Sequence, residues 1–245
     1  MPNLSVITPT IRKEGLPLVA QALAKQTFKD FEWLICSPFD PVLPQATWIP
    51  DTFTGGQWSL NRAYNALMKQ AQGTIIISWQ DWVWALPTAL EQFITVLSQV
   101  GSAAVSGIGD QYERLGQWGK PEIKIWSDPR KTFQYGDVYE CMWNDIEWNF
   151  CALPKHLLVD VGGFDEEMDQ RCRGVDAIQV MERLDALGYK TYLDQRNESF
   201  TLRHDRSAYG GEQAWNASHG LFNGEAAKRK QELIASGQWP RLTFL

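Results

Sequence analysis

Apolar residues in the first 110 positions alternate between short runs and stretches with helical spacing. Residues 4–8, 31–36 and 74–79 are compact, largely apolar runs, as in buried strands, and 47–49 is predicted to be a shorter strand. Between them, apolar positions recur every three or four residues over 15–26, 60–71 and 87–97, which predicts amphipathic helices. A run at 103–108 completes the alternation. Strands that alternate with helices predict an α/β fold with a mostly parallel sheet and helices on both faces.

The regular pattern breaks between residues 111 and 149, where glycine, proline, aromatic and charged residues predominate. This segment is either a long loop region or a small antiparallel excursion. Order resumes with predicted helices at 155–161, 176–187 and 225–236 and with a last strand at 189–193. Because no repeat or linker divides the chain, we predict a single domain over residues 1–245 with a C-terminal extension at about 206–245.

Composition and charge exclude several classes of protein. The formal net charge is −6, with both signs interspersed, so there is no electrostatic footprint for sequence-independent binding to nucleic acid. The apolar runs are far shorter than the ~20 residues that cross a bilayer, and the first residues do not resemble a secretion signal. Four cysteines at irregular spacing indicate reduced thiols. We therefore expect a cytoplasmic protein without an integral membrane segment.

Tryptophan is unusually frequent, with 12 residues in the chain. The flat apolar faces of these side chains can stack on sugar rings or on bases, or they can simply fill gaps in the core.

Ligands of open α/β sheets bind at the carboxyl ends of the strands. The residues of interest therefore follow Thr8, Cys36 and Trp79, where three of the predicted strands end.

Three segments, in this order, resemble glycosyltransferase family 2 and its GT-A relatives. SVITPTIRKEGLPLVAQALAKQT is similar to the family's first strand, Thr-Pro turn and first helix. SLNRAYNALMKQAQGTIIISWQDW is similar to the helix and strand that lead into its Asp-x-Asp motif, and VGGFDEEMDQRCRGVDAIQVMERLDALGYKTY to its Gly-Gly-Phe-Asp-Glu block and the helix that follows. The resemblance covers most of residues 3–205. It implies a GT-A fold and inverting transfer of a sugar from a nucleotide diphosphate, UDP being the expected nucleotide, to an acceptor hydroxyl.

The resemblance also implies a divalent metal, because the leaving diphosphate needs charge neutralisation by a Lewis acid. Where the family has Asp-x-Asp, this chain has Gln80-Asp81-Trp82, so Asp81 is the expected ligand. Relatives often complete the site with a late histidine, which here is His204, and imidazole suits Mn²⁺. We expect Mn²⁺ or Mg²⁺. The alternative is that Asp81 caps the turn after its strand and that His204 is structural.

The general base implied by the resemblance is Asp176. The family places this carboxylate in a Glu-Asp pair at a helix start, and here the pair is Val175-Asp176. Asp is also a favoured N-cap residue, so a purely structural role is the alternative.

Contacts to the nucleotide sugar are implied at the strand ends and at the start of the helix after residue 59. In the first loop, backbone groups would meet the base, and the acid after the second strand replaces the family's acidic doublet. The residues implied are Thr8, Pro9, Thr10, Asp40, Asn61, Arg62, Asn65, Gln80 and Asp81.

The acceptor stays open among a glycan, a lipid carrier, a protein and a modified nucleobase. Two other functions also stay open: a nucleotidyltransferase of related fold, and a non-catalytic, Trp-rich carbohydrate-binding protein. The loop TPTIRKEG is a poor version of the Gly-rich basic loop of nucleotidyltransferases. Turnover of UDP-sugars separates these possibilities.

Overall fold

A computed structural model describes residues 3–51, 60–116, 120–132, 134–172, 177–204 and 212–245. Its helices and strands in chain order are β1 Leu4–Pro9, α1 Leu16–Ala24, β2 Phe31–Ser37, β3 Thr47–Pro50, α2 Leu60–Gln70, β4 Ile75–Trp79, β5 Val83–Ala85, α3 Ala89–Val100, β6 Ala103–Leu115, β7 Pro121–Trp126, β8 Val138–Glu140, β9 Phe150–Pro154, α4 Lys155–Asp160, α5 Glu167–Cys172, α6 Ala177–Ala186, β10 Lys190–Leu202 and α7 Glu212–Ala235.

The strands of the described residues form one sheet in the order β3-β2-β1-β4-β9-β6-β10-β5, with β7 beside β6 and β8 beside β10. Strands β1 to β4, β6 and β10 run in the same direction, and β9 lies antiparallel between β4 and β6. The predicted α/β fold with a mostly parallel sheet is confirmed. The carboxyl ends of β1, β2, β4, β6 and β10 therefore share one edge, which we call the carboxyl edge.

Two apolar cores cover the two faces of the sheet. Alternation along β1 directs Val6 to the core beneath α1 and α3, and Ile7 to the core beneath α2, α4 and α6. Both side chains are fully buried. The prediction of helices on both faces is therefore confirmed.

The structure also corrects several predicted boundaries. The segment 111–149 is in part an antiparallel excursion, because β6 continues to Leu115 and turns back as β7. Strand β9 was not predicted, since five apolar residues have no clear periodicity. Strand β10 continues past 193 through a bulge between Asp194 and Glu198. Helix α7 begins at 212, earlier than predicted, and its start has no apolar stripe that would mark a helix.

Gly73, before β4, allows the backbone to pass close to β1. A Cβ atom there would lie 2.5 Å from the carbonyl carbon of Leu4 and 2.6 Å from the backbone nitrogen of Ser5. Because backbone atoms of a central strand cannot move aside cheaply, we expect Gly73→Ala to lower the free energy of unfolding by about 1–3 kcal/mol. Urea denaturation measures this change.

Gly224 in α7 is the matched control for that substitution. A Cβ atom there has no neighbour within 4 Å, so Gly224→Ala should raise helix stability by roughly 0.5–1 kcal/mol. Equal effects of the two substitutions would contradict the close approach at Gly73.

Candidate functional site

Asp81 lies at the carboxyl edge, two residues after the end of β4, and its charge is neutralised by the chain itself. The residue is only 3% exposed. Its Oδ2 accepts hydrogen bonds from the Thr10 hydroxyl and, at 3.0 Å, from Arg12 Nε, while its Oδ1 accepts one from Arg12 Nη2. Two parallel N–H···O contacts form the strong fork geometry of an arginine–carboxylate pair. The loop after β1 thus supplies the partner that a buried carboxylate requires.

The loop that carries Arg12 is itself held at the end of β2. The Thr10 backbone N–H donates to the Cys36 carbonyl at 2.9 Å, and the Arg12 backbone N–H donates to the Thr10 hydroxyl at 2.9 Å. Because both bonds fix the backbone, the guanidinium approaches Asp81 from a constrained loop.

The Thr8 and Pro9 side chains lie below the edge, in the sheet. The Thr8 hydroxyl donates to the Trp79 carbonyl at 2.6 Å and accepts from Trp33 Nε1 at 2.9 Å. Both Thr8 and Pro9 are buried. The Thr8 hydroxyl joins strands β1, β2 and β4, and of the three residues predicted in this loop, Thr10 is the one whose side chain is bonded to Asp81.

His204 lies beside the turn formed by Asp81 and Trp82. Its ring stacks on the Trp82 indole with 5.9 Å between ring centroids, and its Nδ1 lies 3.2 Å from the Leu202 carbonyl. Trp82 has a positive φ of 62°, and a Cβ atom on Gly15 would lie 2.7 Å from the Trp82 ring. The turn is therefore held between the start of α1 and the end of β10.

The side chains at this turn do not fit a divalent cation as they are arranged. Both oxygens of Asp81 are engaged by Arg12 and Thr10. Gln80 points its amide nitrogen at the Tyr64 hydroxyl, 3.0 Å away. Within the described ranges, no group of three or more His, Cys, Asp or Glu side chains could hold a metal ion. The metal roles of Asp81 and His204 stay predictions, and a cation could bind Asp81 in this way only by displacing Arg12.

Asn61 and Asn65, expected near the donor, are buried and hold the loop that precedes α5. Asn61 Nδ2 donates to the Asp165 carbonyl at 3.2 Å. Asn65 donates to the Phe164 carbonyl at 2.9 Å and accepts from its N–H at 2.8 Å. These contacts give both amides a structural role: they fasten the Gly-Gly-Phe-Asp-Glu block to α2.

The first N–H groups of α2 are bound to a carboxylate of the chain. Asp169 Oδ1 accepts from the Asn61 N–H at 3.1 Å, and Oδ2 accepts from the Arg62 N–H at 3.0 Å. Burial raises the pKa of Asp169 to about 6, although these bonds oppose the shift. The Arg62 guanidinium forms an ion pair with Asp51. The contact of Arg62 with a diphosphate stays a prediction. The positive charge of Arg62 is offset by the Asp51 carboxylate.

Asp51, which was not singled out from the sequence, is the acid bonded to the end of β2. Its backbone N–H donates to the Ser37 carbonyl at 2.9 Å. Burial and, to a smaller extent, the Asp51 charge raise the pKa of the Cys36 thiol to about 12. Asp40, which the family resemblance implies as the acid that contacts the nucleotide sugar after the second strand, is exposed and accepts from the Val42 N–H at 2.8 Å within a local turn. Its contact with the donor stays a prediction.

A second acid missed by the sequence analysis, Glu147, lies at the carboxyl edge just before β9. The Gln80 N–H donates to the Asn149 carbonyl at 2.9 Å, which places this segment beside the end of β4. The Glu147 side chain is 43% exposed, and its Oε2 lies 3.5 Å from Arg130 Nη2. Partial burial raises the pKa of Glu147, and the positive charge of Arg130 opposes that shift.

Asp176 lies outside the described residues. The acids of the preceding block are engaged in contacts within the chain. Asp165 forms an ion pair with Arg229 of α7 at 2.7 Å, and Glu166 accepts from Asn65 Nδ2 at 2.8 Å. Helix α6 is described from residue 177, one residue after the expected base.

The described tryptophans differ in exposure. Trp148 is buried against Tyr64, whereas Trp126 on β7 is 44% exposed. The predicted stacking of tryptophans on sugars stays a prediction, and Trp58 and Trp118 lie outside the described residues.

Comparison with solved structures identifies the fold. S. aureus TarS, a GT-A-type glycosyltransferase, matches in a structure of its residues 1–349 with a TM-score of 0.62 and 16% identity. The match covers 82% of this chain and 60% of that chain. The same segment in complex with UDP matches with a TM-score of 0.62 and 14% identity, and the match covers 91% of this chain and 64% of that chain. A longer TarS structure matches with a TM-score of 0.60 and 16% identity, and the match covers 86% of this chain and 38% of that chain. The chain therefore has the GT-A glycosyltransferase fold and spans less than two thirds of the length of these TarS chains.

No protein-family model and no curated protein matches the sequence. None of the helices in the described ranges has both the length and the apolar character needed to span a membrane.

The raised pKa of Asp169 predicts how stability depends on pH. Because the folded-state pKa lies above the ordinary 3.8, the folded protein binds this proton more tightly than the unfolded chain does. The resulting stabilisation is full below about pH 4 and is lost as pH rises through about 6. Asp169→Asn removes this titration. The difference in free energy of unfolding between the wild type and the variant should therefore fall as pH rises across that range. Urea denaturation at several pH values measures it.

The matched control is Asp185→Asn, which removes an exposed carboxylate on α6. Because this carboxylate is exposed, Asp185→Asn should change the free energy of unfolding by less than about 0.5 kcal/mol. A wild-type advantage over Asp169→Asn that grows with pH would show that the two N–H bonds outweigh burial.

Proposed function

We propose that this chain is an inverting glycosyltransferase that binds a UDP-sugar at the carboxyl edge and transfers the sugar to an acceptor hydroxyl. The observation that carries the proposal is the cluster of Thr10, Arg12 and Asp81 at the edge where α/β sheets bind ligands. The GT-A fold supports it, and a TarS structure of that fold contains UDP.

The reaction is a single displacement at the anomeric carbon. The acceptor oxygen attacks from the face opposite the diphosphate, a new C–O bond forms, and the bond to the UDP oxygen breaks with inversion. A carboxylate takes the acceptor proton, and UDP leaves with the bonding electrons. We assign the base to Asp176, which the family resemblance places at the start of α6.

The order of the strands suggests where the donor and the acceptor bind along the carboxyl edge. Thr10 and Arg12 follow β1, beside the end of β2, so the nucleoside would lie against these two strands. Glu147 precedes β9 on the opposite side of Asp81, where the acceptor would approach. Its partly exposed carboxylate could bind an acceptor hydroxyl there.

The acceptor hydroxyl can belong to a glycan, a lipid carrier, a protein or a modified nucleobase. The cytoplasmic location stays an expectation from composition. The two alternative functions make different demands on the site. A nucleotidyltransferase would release diphosphate from a nucleoside triphosphate, and a non-catalytic carbohydrate-binding protein would turn over neither substrate.

Donor binding is tested with a panel of nucleotide sugars in a thermal unfolding assay. A ligand at about 100 times its Kd should stabilise the folded state by roughly 2.7 kcal/mol. We expect UDP-sugars to raise the melting temperature and ADP- and CMP-sugars to leave it unchanged. Stabilisation by none of them would contradict the proposal.

The role of Asp176 is tested by Asp176→Asn. Asparagine is also a good N-cap, so stability should change by only a few tenths of a kcal/mol. Because the amide cannot accept the proton at neutral pH, transfer should fall by roughly 10²- to 10⁴-fold while donor binding persists. Rates of UDP release with acceptor and isothermal titration with UDP measure the two effects.

Asp185→Asn on the exposed side of α6 serves as the control and should transfer at the parental rate. If Asp176→Asn also keeps the parental rate, Asp176 is only a cap. The base would then be sought among Asp145, Glu147, Asp165, Glu166 and Glu167.

A further inference from the structure

The carboxylate that resembles a metal ligand already has a cationic partner. The side chain of Asp81 is 2% exposed and that of Arg12 is 15% exposed, so the pair lies at the margin between the core and solvent. The Asp81 contacts involve Nε and Nη2, which form one edge of the guanidinium. A guanidinium has five N–H donors in a planar fork and can bridge two anions, one on each edge.

Two other features that could attract a diphosphate are already bound to acids. The N-terminus of α2 meets the Asp169 carboxylate, and Arg62 meets Asp51. Arg12 is also paired with an acid, Asp81, but of these features it is the one at the turn where the family resemblance implies a cation, and its loop is anchored to β2 through Thr10.

We propose that Arg12 takes the place of the divalent cation beside Asp81 and binds the diphosphate of the donor, so that donor binding needs no metal. This inference rests on the proposed function. Arginine suits this role because its fork matches two phosphate oxygens and because it stays charged at any physiological pH. A bridging guanidinium joins the carboxylate to the diphosphate, as a bridging metal ion would.

The roles within the cluster then differ. Arg12 is the binding residue, whereas Asp81 and Thr10 are positioning residues that aim its side chain. Asp81 also places a negative charge near the diphosphate, which opposes binding. In a metal site the same carboxylate would be indispensable, so the two mechanisms predict opposite effects of neutralising Asp81.

The test measures the affinities of UDP and of uridine by isothermal titration, in EDTA and in Mn²⁺. We expect equal UDP affinity in both buffers. Arg12→Gln should weaken UDP about 10- to 100-fold and leave uridine unchanged, because a single charged hydrogen-bonding partner of the diphosphate is lost. Asp81→Asn should bind UDP as tightly as the wild type or more tightly.

Two controls keep the result interpretable. Arg203→Gln removes an exposed arginine that pairs with Glu113 and should leave UDP affinity unchanged. The double variant Arg12→Gln with Asp81→Asn has no unpaired buried charge, so it should fold even if Arg12→Gln does not, and it should lose UDP affinity to the same extent.

The inference is overturned if UDP binds only with Mn²⁺, Asp81→Asn abolishes that binding and the double variant behaves like Asp81→Asn alone. It is equally overturned if Arg12→Gln binds UDP like the wild type. If the wild type binds UDP in neither buffer, the proposed function itself fails, and this outcome is distinct from the other two.

Discussion

Burial of the Asp81 charge is the constraint on which the carboxyl edge depends. A carboxylate that is 3% exposed loses most of its hydration and must be paired within the protein. Its partner comes from the loop after β1, which therefore has to cross the end of β4 in one fixed position. Thr10 fixes that position because it forms hydrogen bonds both with Asp81 and with the end of β2. The end of the central strand and the first loop are consequently a single unit.

A second set of contacts joins α2, the loop before α5 and the C-terminal segment. Asn61 and Asn65 of α2 hold the loop before α5, and Asp165 in that loop pairs with Arg229 of α7. After α7 the chain returns, and the Leu242 N–H donates to the Val161 carbonyl at 2.9 Å. These bonds connect the C-terminal segment to the block that precedes α6.

The sequence predicts most elements of the fold because their periodicity is a local property. It also predicts that the residues after Thr8 and Trp79 lie at one edge of the sheet, which is where the structure has Thr10 and Asp81. The partner of Asp81 was not predicted, because Arg12 is 69 positions away and its loop has no pattern that reveals a pairing. Asn61 was expected near the donor because the family resemblance implies contacts at the start of this helix. Its partner lies 104 positions away, and only the tertiary structure shows that it is buried.

The most direct test of the site is a crystal structure of the protein soaked with UDP and Mn²⁺, with diffraction recorded where manganese scatters anomalously. We expect the uracil at the ends of β1 and β2, the diphosphate in contact with the Arg12 guanidinium, and no anomalous peak beside Asp81. An anomalous peak bound to Asp81, with Arg12 displaced, would show a metal site. UDP bound away from the carboxyl edge would contradict the assignment of the donor site.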